Sequence, residues 1–274
     1  MNILTEPTYK RLAGRGYVDN LAVNTAKKYR FILYNIRYGT GTGWRFHTPF
    51  PYRGYMGRTD RKFESIAGFI ESLNPDIVGL IEVDGGSRRS RGVNQAGQLA
   101  ALLGHSFLFE SKYTRPLLSK HMPIVRWQGN AFLAKENILS RKLSYFDRGV
   151  KRLVMEVELD NCVVFLVHLS IKYAHRQDQL RELEELIRSQ TKPVIVAGDF
   201  NSFLGLREIT PFLAATKLKS ANLNGLRTFP SGVPMMELDY ILHSPEVIVH
   251  HLAVPQIKLS DHLPLVCDFS LRTG

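Results

Sequence analysis

The sequence predicts a single layered α/β domain. Short apolar runs rich in β-branched residues recur along the chain and are too short to be helices. Between several of them lie amphipathic stretches whose apolar residues repeat at helical spacing. No linker, repeat or compositionally biased segment divides the 274 residues. Strands with a few interspersed helices and no internal boundary are typical of one α/β domain, which we assign to residues 28–274.

The first half of this domain follows a mixed, polar stretch, residues 1–27, which we interpret as an N-terminal extension. One helical stripe ends before Pro75 and another ends at Gly104, because proline and glycine both stop helices. Runs of β-branched and aromatic residues predict the strands. Strands are expected at 29–36, 77–83, 106–113, 129–134 and 138–146, the last two forming a pair, and helices at 60–73 and 94–103.

The second half alternates in the same way. Two apolar runs separated by Asp160 and Asn161 predict a β-hairpin. A charged stretch with leucines along one side predicts an amphipathic helix. The expected strands are 153–159, 162–169, 193–197, 238–242, 247–254 and 263–269, and the expected helices are 175–189 and 206–216.

The composition is that of a globular protein with a strongly basic balance. The formal net charge of +11 favours an anionic partner: nucleic acid, a phosphorylated metabolite or an acidic membrane surface. No run approaches the roughly 18 apolar residues of a transmembrane helix, and the charged residues near the N-terminus argue against a signal peptide. We therefore expect a cytoplasmic protein. We also expect it to be a monomer. Cys162 and Cys267 lie in apolar runs without a C-x-x-C pattern, which predicts two buried thiols.

Two polar residues follow the apolar strand at 193–197. Asp199 and Asn201 are two positions apart, so both side chains would point to the same side if the chain stays extended. A buried strand that ends in such groups is costly unless they meet a metal, a substrate or each other. The alternative is an Asx turn in which Asp199 caps backbone amides.

Polar residues recur at the ends of other predicted strands as well. Each of them alone could be a satisfied polar group in the core. Together they are typical of a site on the rim of a sheet, because burying so many polar and charged groups is costly for stability. Oxygen ligands suit Mg²⁺, and imidazoles suit acid–base work and charge stabilisation, whereas no zinc-ligand spacing, P-loop or nucleophile elbow is present. The set comprises Asn35, Glu82, His168, Asp199, Asn201, Asp239, Asp261 and His262.

Six short motifs that contain these residues resemble the endonuclease/exonuclease/phosphatase superfamily. They are Tyr-Asn-Ile (34–36), Gly-Leu-Ile-Glu-Val (79–83), Val-His-Leu-Ser (167–170), Ala-Gly-Asp-Phe-Asn-Ser (197–202), Leu-Asp-Tyr-Ile-Leu (238–242) and Ser-Asp-His-Leu-Pro (260–264). They occur in the family's order, and the motif at 167–170 is similar to that of its histidine-containing branch, which includes deoxyribonucleases and sphingomyelinases. The resemblance implies a four-layer α-β-β-α sandwich of two mostly antiparallel sheets flanked by helices. It also implies Mg²⁺- or Mn²⁺-dependent hydrolysis of a phosphate ester.

The resemblance also implies roles for the site residues. Glu82 would be the main metal ligand, and Asn35 would coordinate the metal or orient Glu82. Asp261 would orient His262 as a catalytic residue, and it would also be a ligand of the metal. His262 would contact the scissile phosphate.

The remaining catalytic positions follow from the same motifs. Asp199 would align and deprotonate the attacking water, and Asn201 would hold phosphate oxygens. His168 would donate a hydrogen bond to the phosphate or act as an acid towards the leaving group. Asp239 would support the phosphate-binding side, through His168.

The substrate is less constrained than the chemistry. A nuclease acting on DNA or RNA is favoured by the basic charge, with Trp44, Arg45, Arg152 and Arg176 as substrate-binding residues. In the alternative, the substrate is a lipid headgroup, as in sphingomyelinases, or a small phosphorylated metabolite, and the aromatic loop 37–59 makes peripheral contact with a membrane. That loop could also simply pack over the sheet edge. A catalytically inactive binding module is a third interpretation. Glu237 stands where similar small family members carry a basic residue.

Overall fold

Two β-sheets packed face to face form the centre of the molecule. The computed structural model describes residues 27–42, 58–112 and 124–272. Within these ranges there are twelve strands and four α-helices. The strands are β1 Lys28–Asn35, β2 Ile77–Asp84, β3 Ser106–Ser111, β4 Gln128–Ala134, β5 Ser140–Tyr145, β6 Leu153–Glu158, β7 Val163–His168, β8 Val194–Asp199, β9 Lys219–Ser220, β10 Asp239–His243, β11 Val247–Ala253 and β12 Leu265–Leu271; the helices are α1 Asp60–Ser72, α2 Gln95–Leu103, α3 Tyr173–Arg188 and α4 Leu206–Thr216.

Each sheet has six described strands. Sheet A has the order β11-β12-β1-β2-β4-β3, and sheet B has the order β5-β6-β7-β8-β10-β9. Only β1–β2 and β7–β8 are parallel among these pairs, which confirms the prediction of mostly antiparallel sheets. The predicted pairing of 129–134 with 138–146 is wrong. β4 lies between β2 and β3 in sheet A, whereas β5 pairs with β6 in sheet B, so the segment between them crosses from one sheet to the other.

Three apolar clusters separate the layers. One lies between the two sheets and includes Phe31, Leu166 and Phe269. A second packs α1 and α2 against sheet A, and a third packs α3 and α4 against sheet B. The sheets approach so closely that a Cβ added to Gly79 would lie 2.8 Å from a methyl carbon of Leu166. The four-layer sandwich implied by the sequence is therefore confirmed.

Several other expectations concern the periphery. Cys162 and Cys267 are free thiols buried in the cluster between the sheets, as predicted. Lys27 belongs to the predicted extension and contacts Glu136; residues 1–26 lie outside the described residues. None of the helices in the described ranges has the length and apolar character needed to cross a membrane.

Candidate active site

Three strand-end residues of sheet B lie side by side on one rim. His168 ends β7, Asp199 ends the neighbouring strand β8, and Asp239 begins β10 on its other side. The strand registers pair Asp199 directly with both His168 and Asp239. Gly198 permits this arrangement, because a Cβ at that position would lie 1.9 Å from the carbonyl oxygen of Val167. All three side chains are almost fully buried.

Sheet A supplies two more residues to the same rim. Asn35 ends β1, and its Nδ2 donates a hydrogen bond of 3.0 Å to Oδ2 of Asp199 across the two sheets. Glu82 lies in β2 where the register with β4 shifts between Leu80 and Val83. Its φ of +60° is unusual for a residue with a side chain. Asn35 thus contacts Asp199, a partner that the resemblance did not imply.

The turn after β8 combines the two interpretations of Asp199. Its Oδ1 accepts a hydrogen bond of 3.0 Å from the backbone N–H of Asn201, which is an Asx turn. Its Oδ2 meanwhile faces Asn35 and the imidazole groups. Asn201 adopts φ +50°, so the chain does not stay extended, and its Nδ2 donates to the carbonyl oxygen of Leu169 at 3.0 Å. One carboxylate therefore closes the turn and also serves the site.

His262 is held by Asp239. Its Nδ1 lies 2.7 Å from Oδ2 of Asp239, and its Nε2 lies 3.9 Å from Oδ2 of Asp199. The ring of Phe229 packs beside the imidazole, with 4.8 Å between ring centroids. Burial would lower the pKa of His262, but Asp239 and Asp199 outweigh burial and raise the pKa to about 10. His262 is therefore an imidazolium at neutral pH.

Asp261 has a different partner from the one implied by the resemblance. Its Oδ2 pairs with Nε of Arg37 at 3.2 Å, and its Oδ1 accepts from the hydroxyl of Ser260. Asp239, rather than Asp261, is hydrogen-bonded to His262. Asp239 is therefore placed to orient His262 by direct contact, whereas the resemblance implied this role for Asp261 and a role through His168 for Asp239.

His168 lies between an acid and a base. Its Nε2 is 3.2 Å from Oδ2 of Asp199 and also contacts Nζ of Lys151. Burial lowers the pKa of His168, and Lys151 lowers it further, to about 4. Burial alone would raise the pKa of Asp199, yet His168 and His262 keep it below its usual range. A neutral His168 and an ionised Asp199 follow from this arrangement.

Glu82 has its own basic partner. Nζ of Lys112 lies 3.5 Å from Oε1 of Glu82 and donates a hydrogen bond of 2.9 Å to the hydroxyl of Tyr38. Burial would raise the pKa of Glu82, but Lys112, Lys151 and His168 together lower it to about 2. Burial lowers the pKa of Lys112 to about 8 despite the opposing effect of Glu82. Two lysine side chains, those of Lys112 and Lys151, therefore act on the carboxylate of Glu82.

A metal ion could be placed at two points of this site. Asp199, Asp239 and His262 offer ligand atoms within 4.8 Å of one another. However, Nδ1 of His262 hydrogen-bonds to Asp239 at 2.7 Å, and the neighbouring carboxylates raise the pKa of the imidazole, which favours its protonated form when no metal is bound. A protonated imidazole has no lone pair for a metal. We therefore interpret these three residues as a charge-paired cluster rather than as a metal site.

The oxygen groups around Glu82 fit a hard divalent cation better. Burial is the main cause of the raised pKa of Asp261, and the carboxylate of Glu82 adds to it, so the two acidic groups repel each other. Asn35 adds an amide oxygen, which accepts from the N–H of Arg37 at 3.2 Å and keeps a second lone pair. Carboxylates and an amide oxygen are the ligands that Mg²⁺ and Mn²⁺ prefer.

The two described residues that were predicted to bind substrate, Arg152 and Arg176, are bonded to other parts of the protein. Arg176 is buried, its guanidinium pairs with Glu208, and its Nη1 donates to the carbonyl oxygens of Ser170 and Ile171 at 2.8 Å each. Nε of Arg152 donates to the carbonyl oxygen of Phe146. These contacts indicate structural roles for both arginines. Trp44 and Arg45 lie outside the described residues.

Three residues of the site were missed from the sequence. Lys151 is next to Arg152, which was predicted to bind substrate. Successive residues of an extended chain point to opposite sides, so only one of the two can face the site. Lys112 follows β3 directly, so the rule that found the other strand-end residues would also have found it. Arg37 carried no signal, because its role depends on a φ of +46° in the turn after β1.

Comparisons with known proteins identify the family and the fold of this chain. The model of the Endonuclease/Exonuclease/phosphatase family matches residues 32–262. The uncharacterized protein YbhP of Escherichia coli is 34% identical over 124 residues, which cover 39% of this chain and 46% of YbhP, so the match spans less than half of that relative. An endonuclease/exonuclease/phosphatase family protein from Bacteroides thetaiotaomicron has a similar structure, with a TM-score of 0.67 at 15% identity over 90% of this chain and 99% of the other. The catalytic domain of human nocturnin has a TM-score of 0.64 at 20% identity over 91% and 95%. The chain therefore belongs to the Endonuclease/Exonuclease/phosphatase family, whose members are hydrolytic phosphoesterases.

Proposed function

We propose that this protein hydrolyses phosphodiester bonds with the help of Mg²⁺ or Mn²⁺. The observation that carries this proposal is the position of the Asp199 carboxylate between the imidazole rings of His168 and His262. The neutral His168 lies 3.2 Å from its Oδ2 and the imidazolium of His262 lies 3.9 Å from it. A base beside a fixed positive charge is what attack of water on a phosphate ester requires.

The proposed roles follow from the protonation states. Asp199 is kept ionised by its lowered pKa, so that its carboxylate can align the attacking water and accept its proton. His262 stabilises the negative charge that develops on the phosphoryl oxygens, and Asp239 keeps its ring fixed and protonated. His168 donates a hydrogen bond rather than a proton, since a pKa near 4 leaves it neutral.

The metal would be held by oxygen ligands on the sheet A side. Glu82 is the central ligand of this proposal, with Asn35 and Asp261 beside it. The cation would neutralise charge on the phosphoryl oxygens when bound. Asn35 also fixes Asp199 by a hydrogen bond, so the ligand side and the base side of the site are joined.

A polynucleotide is the first candidate substrate, because the net charge of +11 favours a polyanion. The test is an activity panel of DNA, RNA, phospholipids and simple phosphodiesters with Mg²⁺ or Mn²⁺, with Asp199→Ala as the blank. We expect cleavage of a polynucleotide by the wild type and at least a hundredfold loss in the variant. Equal activity of the two proteins would contradict the proposed base.

A lipid headgroup is the second candidate, and an apolar surface beside the site favours it. Ile171, Tyr173, Phe203 and Leu204 are between 44% and 69% exposed on the segments that follow β7 and β8. Tyr173 and Phe203 both flank Arg176, whose guanidinium lies 5.8 Å from the ring of Tyr173 and 5.9 Å from that of Phe203. Exposed apolar groups on protruding loops suit a membrane interface.

Vesicle binding separates the two candidates. If the substrate is a lipid, sedimentation with phosphatidylglycerol-containing vesicles should fall at least tenfold in the double variant Tyr173→Ser with Phe203→Ser. Leu139→Ser is the matched control, because Leu139 is 55% exposed before β5, at the opposite end of sheet B. Binding that is equal in all three proteins would remove the lipid candidate.

A further inference from the structure

Lys112 is fixed against the carboxylate to which we assign the metal. Its ammonium group lies 3.5 Å from Oε1 of Glu82, and the residue is only 6% exposed. The hydroxyl of Tyr38 accepts a hydrogen bond from Nζ at 2.9 Å, and the ammonium also lies 5.1 Å from the centre of the Tyr38 ring. Lys112 is therefore a placed cation rather than a mobile surface lysine.

Tyr38 is itself held firmly. Its ring stacks against the guanidinium of Arg89, with 5.0 Å between them, and both residues are at most 5% exposed. The carbonyl oxygen of Tyr38 accepts a hydrogen bond from Nε2 of Gln95 at 2.9 Å. Because its anchor is fixed, Lys112 cannot move far from Glu82 without losing the bond to Tyr38.

This placement has opposite consequences before and after a metal binds. In the metal-free protein the ammonium of Lys112 neutralises Glu82. A divalent cation on Glu82 would instead be repelled by that ammonium at short range. Between charges about 4 Å apart in a partly buried site, such effects are large. Lys112 therefore weakens metal binding twice, by stabilising the free carboxylate and by repelling the bound ion.

A phosphate group reverses the sign of this effect. Its oxygens carry negative charge and can contact both the cation and the ammonium, so each then favours the other. We propose that Lys112 is the internal counter-ion of Glu82, which competes with the metal in the free protein and binds the phosphate in the loaded complex. Metal and phosphate then bind cooperatively, and by linkage each increases the affinity for the other equally. This inference rests on the proposed metal role of Glu82.

Binding of Mn²⁺, followed by the loss of the free-ion signal in electron paramagnetic resonance, tests this without any turnover. We expect Lys112→Met to bind Mn²⁺ at least about tenfold more tightly than the wild type. Lys142→Met removes the same charge from the exposed strand β5 and is the matched control, with an expected change of less than about twofold. Lys112→Gln, which retains a hydrogen-bond donor, should also bind more tightly and serves if the methionine variant does not fold.

The second measurement repeats the titration with methylphosphonate as a phosphate analogue. The analogue should tighten Mn²⁺ binding at least about fivefold in the wild type and less than twofold in the Lys112 variants. If the wild type binds Mn²⁺ and the Lys112 variants bind it no more tightly, the inference about Lys112 is overturned while the proposed metal site stands. A wild type that binds no Mn²⁺, or whose binding is unaffected by Glu82→Gln, would overturn the proposed metal site and this inference with it.

Discussion

Backbone strain at single residues is concentrated around Asp199. Seven non-glycine residues in the described chain have a positive φ, and four of them, Arg37, Tyr38, Glu82 and Asn201, contribute to the site. Such conformations cost about 1 to 3 kcal/mol each and persist only where the surroundings enforce them. Here each one directs a side chain or an N–H group towards another site residue. The strain is therefore part of how the site is assembled.

The pair of Asp239 and His262 gives a direct test at this scale. In Asp239→Asn the imidazole loses its nearest negative charge, so we expect the pKa of His262 to fall by at least about 2 pH units from its value of about 10. The kcat at neutral pH should fall at least about tenfold, because the ring loses the carboxylate that fixes its orientation. Titration of the histidine ring protons by NMR in the metal-free protein measures the pKa.

The same spectra contain an internal control. His250 on β11 hydrogen-bonds to Ser270 on β12, away from the site, so its ring-proton signals should be the same in the variant and the wild type. A His262 that titrates unchanged in Asp239→Asn would contradict the assigned hydrogen bond.

Glu237 provides a pH-dependent test of stability. Burial raises its pKa to about 6, although Asn222 donates a hydrogen bond to its carboxylate at 2.7 Å. Ionisation of Glu237 therefore lowers the free energy of unfolding. This loss is absent below the pKa that Glu237 has in the unfolded chain, grows as the pH rises from about 4.5 to 6, and is complete above pH 6, roughly the pKa in the folded state. We expect Glu237→Gln to raise the free energy of unfolding by about 1 kcal/mol at pH 7, after allowance for partial exposure, and by nothing at pH 4.

Urea unfolding at several pH values measures this effect. Glu246→Gln is a control of opposite sign, because Ser244 lowers the pKa of Glu246 and the variant should lose rather than gain stability at neutral pH. A gain in Glu237→Gln that is equal at pH 4 and pH 7 would show that charge is not its cause.

Among the secondary structure elements, the sequence was sufficient for the strands and their polar ends. β-branched runs followed by Asn35, His168 and Asp199 are local signals, and each survives in the structure. The partners of β4 and β5 were not predictable in the same way, and the expected pairing of these two strands with each other is wrong. Strands that follow each other in the sequence usually pair. Here β4 pairs with β2 in sheet A instead, and this long-range pairing overrides the usual tendency.

The basic residues show the other limit of sequence reasoning. Arg152 and Lys151 are neighbours of equal charge, and only the direction of the chain into β6 decides which one reaches His168. Arg176 was predicted to bind substrate, whereas its partner Glu208 comes from α4, a contact that no local pattern reveals.

The pair of Arg176 and Glu208 links α3, α4 and the segment after β7. Removal of the guanidinium leaves a buried carboxylate without its charge partner, so we expect Arg176→Leu to lower the free energy of unfolding by about 3 to 5 kcal/mol. The KM of the folded enzyme should change little. Arg181→Leu, on the same helix and 73% exposed, is the matched control with an expected loss below about 1 kcal/mol.

A double variant makes this assignment sharper. Arg176→Leu with Glu208→Leu should recover part of the lost stability, because no unpaired charge remains. If Arg176→Leu instead kept full stability and raised KM, the substrate-binding role predicted from the sequence would be correct.

At the scale of the whole molecule, the two sheets divide the work of the proposed site. Sheet B contributes His168, Asp199 and Asp239 through β7, β8 and β10. Sheet A contributes Asn35 and Glu82 through β1 and β2, and His262 lies in the segment before β12 of the same sheet. The hydrogen bond from Asn35 to Asp199 joins the two halves. Any change that shifts one sheet against the other would therefore separate the base from the proposed metal ligands.

The excess of 11 positive charges is a property of the whole molecule, and it leads to a test of the substrate class. If a polynucleotide is bound along the basic surface, each phosphate contact releases counterions, and the logarithm of kcat/KM should fall with the logarithm of salt concentration with a slope of about −0.7 per contact. For a single-stranded oligonucleotide we expect a total slope of about −2 or steeper between 50 and 300 mM NaCl, roughly the range in which such contacts are screened. Bis(p-nitrophenyl) phosphate is the control, because it carries one charge and reaches only the rim residues. Its slope should therefore be shallower than about −1. Equal slopes for the two substrates would mean that the surface charge does not bind a polyanion, and would favour the lipid headgroup instead.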